Sequence, residues 1–250
     1  MQKQTILIAL ALVLALSSCS RSYYIPNVQN VPLFIEKDEF HATIASGGGS
    51  DISVIEVQAA YSITNNLALM TSFMSGQGGD RSSNNWGKGN YLEGAVGYYR
   101  PYNGILVAGV FAGYGASNQH HQFGANYSDG TADLSFAKYF LQPSFGLTYR
   151  AFDIALSTRI SRLSFYNIDT NLSIGSVAME DLDAIAHNKV SYLFEPALTI
   201  RGGWKYIKVQ MQLSSSKNLS HSDLQFEDIN ASLGLYFVIA KRYSRVAPNN

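Results

Sequence analysis

The chain alternates between hydrophobic and polar residues with a period of two along most of its length, the mark of strands with two different faces. Over residues 137–149, Tyr139, Leu141, Phe145, Leu147 and Tyr149 share one face. Lys138, Gln142, Ser144, Gly146 and Thr148 share the other, with Phe140 as the exception. Residues 152–161 set Phe152, Ile154, Leu156 and Ile160 against Asp153, Ser157, Arg159 and Ser161. Segments 191–201 and 205–214 repeat the pattern. Extended to the whole chain, it predicts ten strands near 38–46, 53–63, 66–75, 89–100, 104–116, 134–149, 152–165, 190–201, 204–214 and 229–242. No segment after the N-terminal apolar run has the 18 consecutive apolar residues of a membrane-spanning helix.

The connections alternate in length. Thr64-Asn65, Pro101-Tyr102-Asn103, Arg150-Ala151 and Gly202-Gly203 are tight hairpin connections. Residues 76–88, 117–133, 166–189 and 215–228 are longer and polar, and Gly47-Gly48-Gly49 is a shorter exception. Short turns at one end and long loops at the other predict a closed, antiparallel, up-and-down transmembrane β-barrel of about ten strands. Aromatic residues crowd the short-turn end (Tyr61, Tyr98, Tyr99, Tyr102, Tyr149, Phe152, Trp204, Tyr206), as an interfacial girdle would. Glycines recur in the fourth and fifth strands, where a curved barrel needs small residues. Residues 173–187, with Ile174, Val177, Ala178, Leu182 and Ile185, form one short amphipathic helix in a long loop.

The same alternation fits a soluble barrel turned inside out, such as a lipid-binding carrier, because periodicity does not say which face meets water. Composition changes that picture. Only 14% of residues are charged, against 46% hydrophobic, and the 18 basic and 18 acidic residues cancel. A soluble surface carries roughly 25–35% charged residues, whereas the polar faces here are mostly Ser, Thr, Gln and Gly. The neutral balance also excludes a nucleic-acid binder, which needs a basic excess.

Lys3, the apolar run Ile6–Leu16 and Ser17-Ser18 have the form of a secretory signal peptide over residues 1–18. Cys19 is the only cysteine, so no disulfide forms within the chain. The expected organisation is a signal peptide (1–18), a linker (19–37), the barrel (38–243) and a tail (244–250). The linker spans up to roughly 60 Å at about 3.3 Å per residue. Its two Pro-containing stretches are expected to hold it extended, under or inside the barrel.

In the barrel, Glu56, Glu93, Lys138, Asp153, Arg159, Glu195, Arg201 and Lys208 are expected to face the lumen. Both signs occur, which points to ion pairs closing a narrow lumen rather than a path for one ion. A hairpin turning at Gly202-Gly203 would set Glu195 opposite Gln210 and diagonal to Lys208. His120-His121 is expected in a polar surface loop, since adjacent residues do not converge on a metal without further ligands. Glu180, Asp181 and Asp183 are expected on the solvated face of the helix. Neither Gly76-Gln77-Gly78-Gly79 nor Gly87-Lys88-Gly89 has phosphate-binding spacing. No cofactor and no metal is expected.

Four resemblances add to this. Leu16-Ser17-Ser18-Cys19 resembles a bacterial lipobox, implying cleavage before Cys19 and lipid on its thiol. Ser20-Arg21-Ser22 lacks the acidic cluster associated with surface export of lipoproteins in Bacteroidota, so the resemblance implies a periplasmic N-terminus anchored in the outer membrane. Ser232-x-Gly234-x-x-Phe237-x-Ile239 resembles the signal recognised by barrel-insertion machinery. Tyr24-Ile25-Pro26-Asn27 through Asn30-Val31-Pro32-Leu33, Glu36-Lys37-x-Glu39 and Gln58–Thr64 resemble the start of a group of Bacteroidota outer-membrane barrel lipoproteins of undefined function. That group lends a fold and a location and no catalytic residues. Ten-stranded omptin proteases carry Asp and His on the outer rim, where Asp129, Asp169, His187 and His221 would lie here, but no motif ties these together. The expectation is therefore a non-enzymatic structural or surface-interaction protein contacting partners, not identified from sequence, through its long loops. A small-solute channel and a soluble lipid-binding barrel are the alternatives.

Overall fold

A computed structural model describes residues 22–49, 51–124, 129–221, 224 and 226–244. Cys19 and residues 1–18 lie outside them, as do residues 245–250. The strands are β1 (Phe40–Gly48), β2 (Ile52–Ser62), β3 (Leu67–Asp80), β4 (Asn85–Tyr102), β5 (Leu106–Phe123), β6 (Gly130–Thr148), β7 (Phe152–Thr170), β8 (Val190–Gly203) and β9 (Ile207–Ser215). A two-residue strand, β10 (Lys217–Asn218), lies beside β8, and β11 is Ile229–Ile239. Each long strand pairs antiparallel with its neighbour, and β11 pairs with both β9 and β1. The sheet therefore closes on itself as a ten-stranded barrel with no free edge.

The two faces settle which way round the alternation runs. Leu156 and Ile55 on the outside are each 62% exposed, and Met211 is 61% exposed. Charged side chains such as Arg159 and Arg201 on the inside are 1% exposed. An apolar exterior and a polar interior are what a strand needs when lipid replaces water outside. The barrel is one that spans a membrane.

The outward apolar band begins directly at the short turns. Tyr61, Tyr102, Tyr149, Phe152, Trp204 and Tyr206 all point outward there. Tyr99 does not belong to this girdle. It is fully buried, and its hydroxyl donates to the carbonyl oxygens of Thr64 (2.7 Å) and Glu36 (3.2 Å).

At the other end the sequence expectation needs correction. Most of the loops expected over 76–88 and 117–133 is strand, since β3 and β4 meet at Arg81–Asn84, and β5 runs to Phe123 before β6 resumes at Gly130. These extensions stand above the apolar band, so neither face needs to be hydrophobic and alternation fades while the backbone ladder continues. β7 likewise continues to Thr170 before helix α1 (Val177–His187). Ser176 caps α1, its hydroxyl accepting from the Met179 amide at 3.2 Å. Ala178, Leu182 and Ile185 are buried, while Ile174 and Val177 of the expected apolar face are exposed. The wall is thus tall on the β4–β7 side and low on the side of β1, β2, β9 and β11. After β11 the chain turns into one helical turn, α2 (Lys241–Ser244), tied down by Lys241 Nζ donating to Asp38 at 2.7 Å.

Several inward glycines make room for rings. A Cβ at Gly97 would overlap the Phe111 ring, and one at Gly115 would overlap the Tyr91 phenol. The close approach of an aromatic side chain, more than curvature, explains those two positions.

Candidate functional site

The lumen is filled by the chain itself. Residues 23–36 run through it as an extended segment without a strand partner along most of its length, and Tyr23, Val31 and Phe34 on it are fully buried. The segment enters at the long-loop mouth, where the Tyr23 ring packs 5.3 Å from His121 and Tyr24 bridges to Phe226. It leaves at the short-turn mouth, where the Phe34 ring stacks 4.4 Å from His41 and the Ile35 and Glu36 amides donate to Glu39. The chain then reverses at Asp38, whose φ is +65°, to begin β1.

An unpaired backbone crossing a buried space must find partners for its amides and carbonyls. Barrel side chains supply them. Glu56 accepts from the Val28 amide (2.9 Å), and Gln58 donates to the Val28 carbonyl (2.7 Å). Gln212 does both for Gln29, accepting from its amide (2.6 Å) and donating to its carbonyl (2.9 Å). Gln142 donates to Asn30, Arg201 to Val31 and Asn230 to Pro26. The Gln-rich polar face is therefore a set of two-way groups able to serve a strand of either polarity.

All eight charged residues assigned to the lumen from sequence are buried inside the barrel. They form two clusters around the segment. In the upper one, Arg159 grips Glu93 with both terminal nitrogens (3.0 and 3.2 Å) and donates to Gln142 Oε1 at 2.7 Å. The guanidinium also lies 4.3 Å over the ring of Phe140, the residue that broke the alternation. Asn27 sits at the centre. Its Oδ1 accepts from Arg159 (2.7 Å) and Lys138 (3.0 Å), and its Nδ2 donates to Glu93 (3.1 Å) and Glu56 (3.4 Å). The Tyr24 hydroxyl links Lys138, which donates to it at 3.0 Å, to Glu195, which accepts from it. Lower down, Asp153 accepts from Lys208 (2.7 Å) and lies 3.9 Å from Arg201.

Glu195 does not face Gln210 or reach Lys208. The β8–β9 turn lies at Trp204–Tyr206, three residues beyond Arg201, and this register sets Arg201 opposite Gln210, its Nε donating at 2.7 Å. The glycines that suggested the turn belong to the end of β8.

His120 and His121 lie on β5, so their side chains point to opposite faces. His120 faces out and meets Asp133 at 2.8 Å, and His121 faces in against Tyr23. Asp129, Asp169, His187 and His221 occupy separate segments of the rim, and among the described residues no hydrogen bond or ion pair joins two of them. No group of three or more His, Cys, Asp or Glu among the described residues is placed to hold a metal ion.

Above the segment, at the long-loop mouth, a cavity of about 590 Å³ is bounded by the inner walls of β2–β6, the N-terminal turn of α1 and the segment's upper end. Tyr24, Asn27, Tyr91, Gln119, His121 and Lys138 line it, with Asp181 of α1 at its edge.

What sequence missed is the segment's own chemistry. Tyr24, Asn27 and Gln29 are central to the network, and His41 with Glu39 anchors its lower end (3.0 Å). A signal existed: amide side chains recur within a stretch otherwise made of Tyr, Ile, Val, Leu and Phe.

No family model and no curated protein matches this sequence. Among solved structures, the translocator domain of the autotransporter NalP from Neisseria meningitidis aligns over 94% of both chains at 9% identity, with a TM-score of 0.47. The KdgM porin aligns over 80% of this chain and 99% of its own, at 9% identity and a TM-score of 0.37. The N-terminal β-barrel domain of Pseudomonas aeruginosa OprF aligns over 82% and 99%, at 9% identity and a TM-score of 0.35.

Proposed function

We propose that this chain is an outer-membrane β-barrel lipoprotein, closed by its own N-terminal segment, that works as a structural or surface-interaction protein rather than as an enzyme or a solute channel. The observation that carries the closure is the segment 23–36, hydrogen-bonded to opposite walls and surrounded by buried charge pairs. Ten strands enclose slightly more than side chains alone fill, and the segment takes up the difference. The contact surface is then the tall rim of β4–β7 with α1 and the cavity inside it, facing a partner outside the cell.

The apolar exterior supports placement in the outer membrane, with short turns periplasmic. Removal of residues 1–18, acylation of Cys19, insertion by the barrel-assembly machinery and membership of the Bacteroidota lipoprotein group belong to the same reading. They rest on the sequence motifs. Incorporation of a labelled fatty acid, and its loss in Cys19→Ala, tests the acylation.

Planar-bilayer recording tests the closure. The full chain is expected to show no stable conductance steps. A variant lacking residues 22–36, checked for folding by heat-dependent gel migration, is expected to show them. Stable steps from the full chain would overturn the closed-barrel reading and restore the channel.

A further inference from the structure

The direction of the segment assigns a side to the N-terminus. Its lower end is fixed at the short-turn mouth, where the Lys37 amide donates to Asn65 at 3.1 Å and Tyr99 reaches the Glu36 carbonyl. Its upper end is fixed beyond the apolar band, where the Glu227 amide donates to the Tyr24 carbonyl at 2.8 Å and Ser22 Oγ donates to the Glu227 carboxylate at 3.2 Å. Sequence had put the N-terminus at the opposite, periplasmic mouth, with a linker climbing to the rim. The described chain instead descends through the lumen.

A return to the short-turn side from Ser22 would need a second passage, and below the cavity the lumen has no space for one. Tyr23, Phe34 and Phe111 are fully buried within it, and Arg159 and Arg201 are 1% exposed. The rim offers an exit, because the wall is low where β1 ends at Gly48 and β11 begins at Ile229. Ser22 lies on that low sector: its partner Glu227 approaches so close to Gly49 that a Cβ there would overlap the carboxylate.

We propose that the segment is threaded with its upstream end outward, so that Ser22 is displayed on the outer face over this low sector. The proposal rests on the outer-membrane placement given above and does not require acylation.

The test is epitope accessibility in intact cells producing the full chain from its own signal sequence. One tag is inserted between Arg21 and Ser22, a second in the short turn at Asn103-Gly104 and a third in the β3–β4 turn at Ser82-Ser83. Antibody is expected to reach the first and third tags on intact cells, and the second only after the outer membrane is permeabilised. A first tag that behaves like the second, with the third still reached, overturns the proposal while leaving the barrel's orientation intact. A second tag reached on intact cells, with the first and third hidden, overturns the orientation assigned under the proposed function and this proposal with it. Heat-dependent migration of each tagged protein shows that the insertion left the barrel folded.

Discussion

Replacing Asn27 by leucine removes the central group of the upper cluster with little change in volume. Four hydrogen bonds from its amide to charged side chains are lost, two made by Oδ1 to Lys138 and Arg159 and two by Nδ2 to Glu56 and Glu93. A hydrogen bond to a charged group contributes about 1.5–3 kcal/mol. The sum of four is an upper bound, because Arg159 keeps Glu93 and Gln142, Lys138 keeps Tyr24, and Glu56 keeps Gln58 and the Val28 amide. Lys138 borders the cavity and can take water in exchange, whereas Glu56, Glu93 and Arg159 do not line it and are left with fewer partners. The expected cost is therefore about 3–5 kcal/mol. Asn27→Asp separates charge from packing. It keeps an acceptor for both cations but turns the groups facing Glu93 and Glu56 into like charges, in a cluster where Glu56, Glu93 and Glu195 already outnumber Lys138 and Arg159. It should cost at least as much as the leucine variant. Urea unfolding of the purified protein in detergent, followed by heat-dependent gel migration, gives the midpoints. Bilayer recording on the same samples reports whether the segment still seals the lumen. Midpoints for Asn27→Leu corresponding to less than about 0.5 kcal/mol, with the lumen still closed, would refute the claim that this residue joins the segment to the wall.

Three further outcomes follow from the same geometry. A Cβ at Gly146 would stand 2.9 Å from Leu33 Cδ2 and 2.8 Å from Ala155 Cβ, so Gly146→Val should overpack the lower lumen by about 1–3 kcal/mol, read in the same unfolding assay. Glu93→Gln leaves Arg159 buried without its counter-ion and should cost about 3–5 kcal/mol, whereas Glu93→Gln with Arg159→Met should recover a large part of it. At the short-turn mouth, hydrogen bonds from Lys241 and Tyr61 hold the Asp38 carboxyl below its ordinary 3.8. The α2 clamp is then fully present above pH 3.8 and is lost as pH falls through the lower folded value; a titration of Asp38 followed by NMR that centred at or above 3.8 would contradict it.

How much of this was legible in the sequence depended on what each residue faces. Where one side meets lipid, as over Phe152–Ile160, alternation was strong and the strand, its faces and the inward position of Arg159 were readable. Where both sides meet water, as at Gln77 or Asn118, the pattern disappeared although the ladder continued, and strand was taken for loop. Register failed at Trp204–Tyr206 because paired glycines suit a two-residue turn equally well as a strand end. The segment's route was not legible from periodicity, since its order comes from partners scattered over β2, β6, β8 and β9. Its Asn and Gln content was the visible trace of those partners.

The threaded segment also constrains the order of events during assembly. A ring already sealed between β1 and β11 would have to admit residues 22–36 end-on, dragging Asn27 past Glu93 and Arg159 without water. A sheet that curls around the segment meets no such barrier, since each strand adds its own share of hydrogen bonds as it arrives. The seam between Phe40–Gly48 and Ala231–Ile239 is then the last joint to form, and the N-terminal segment serves as the mandrel on which the cylinder is wound.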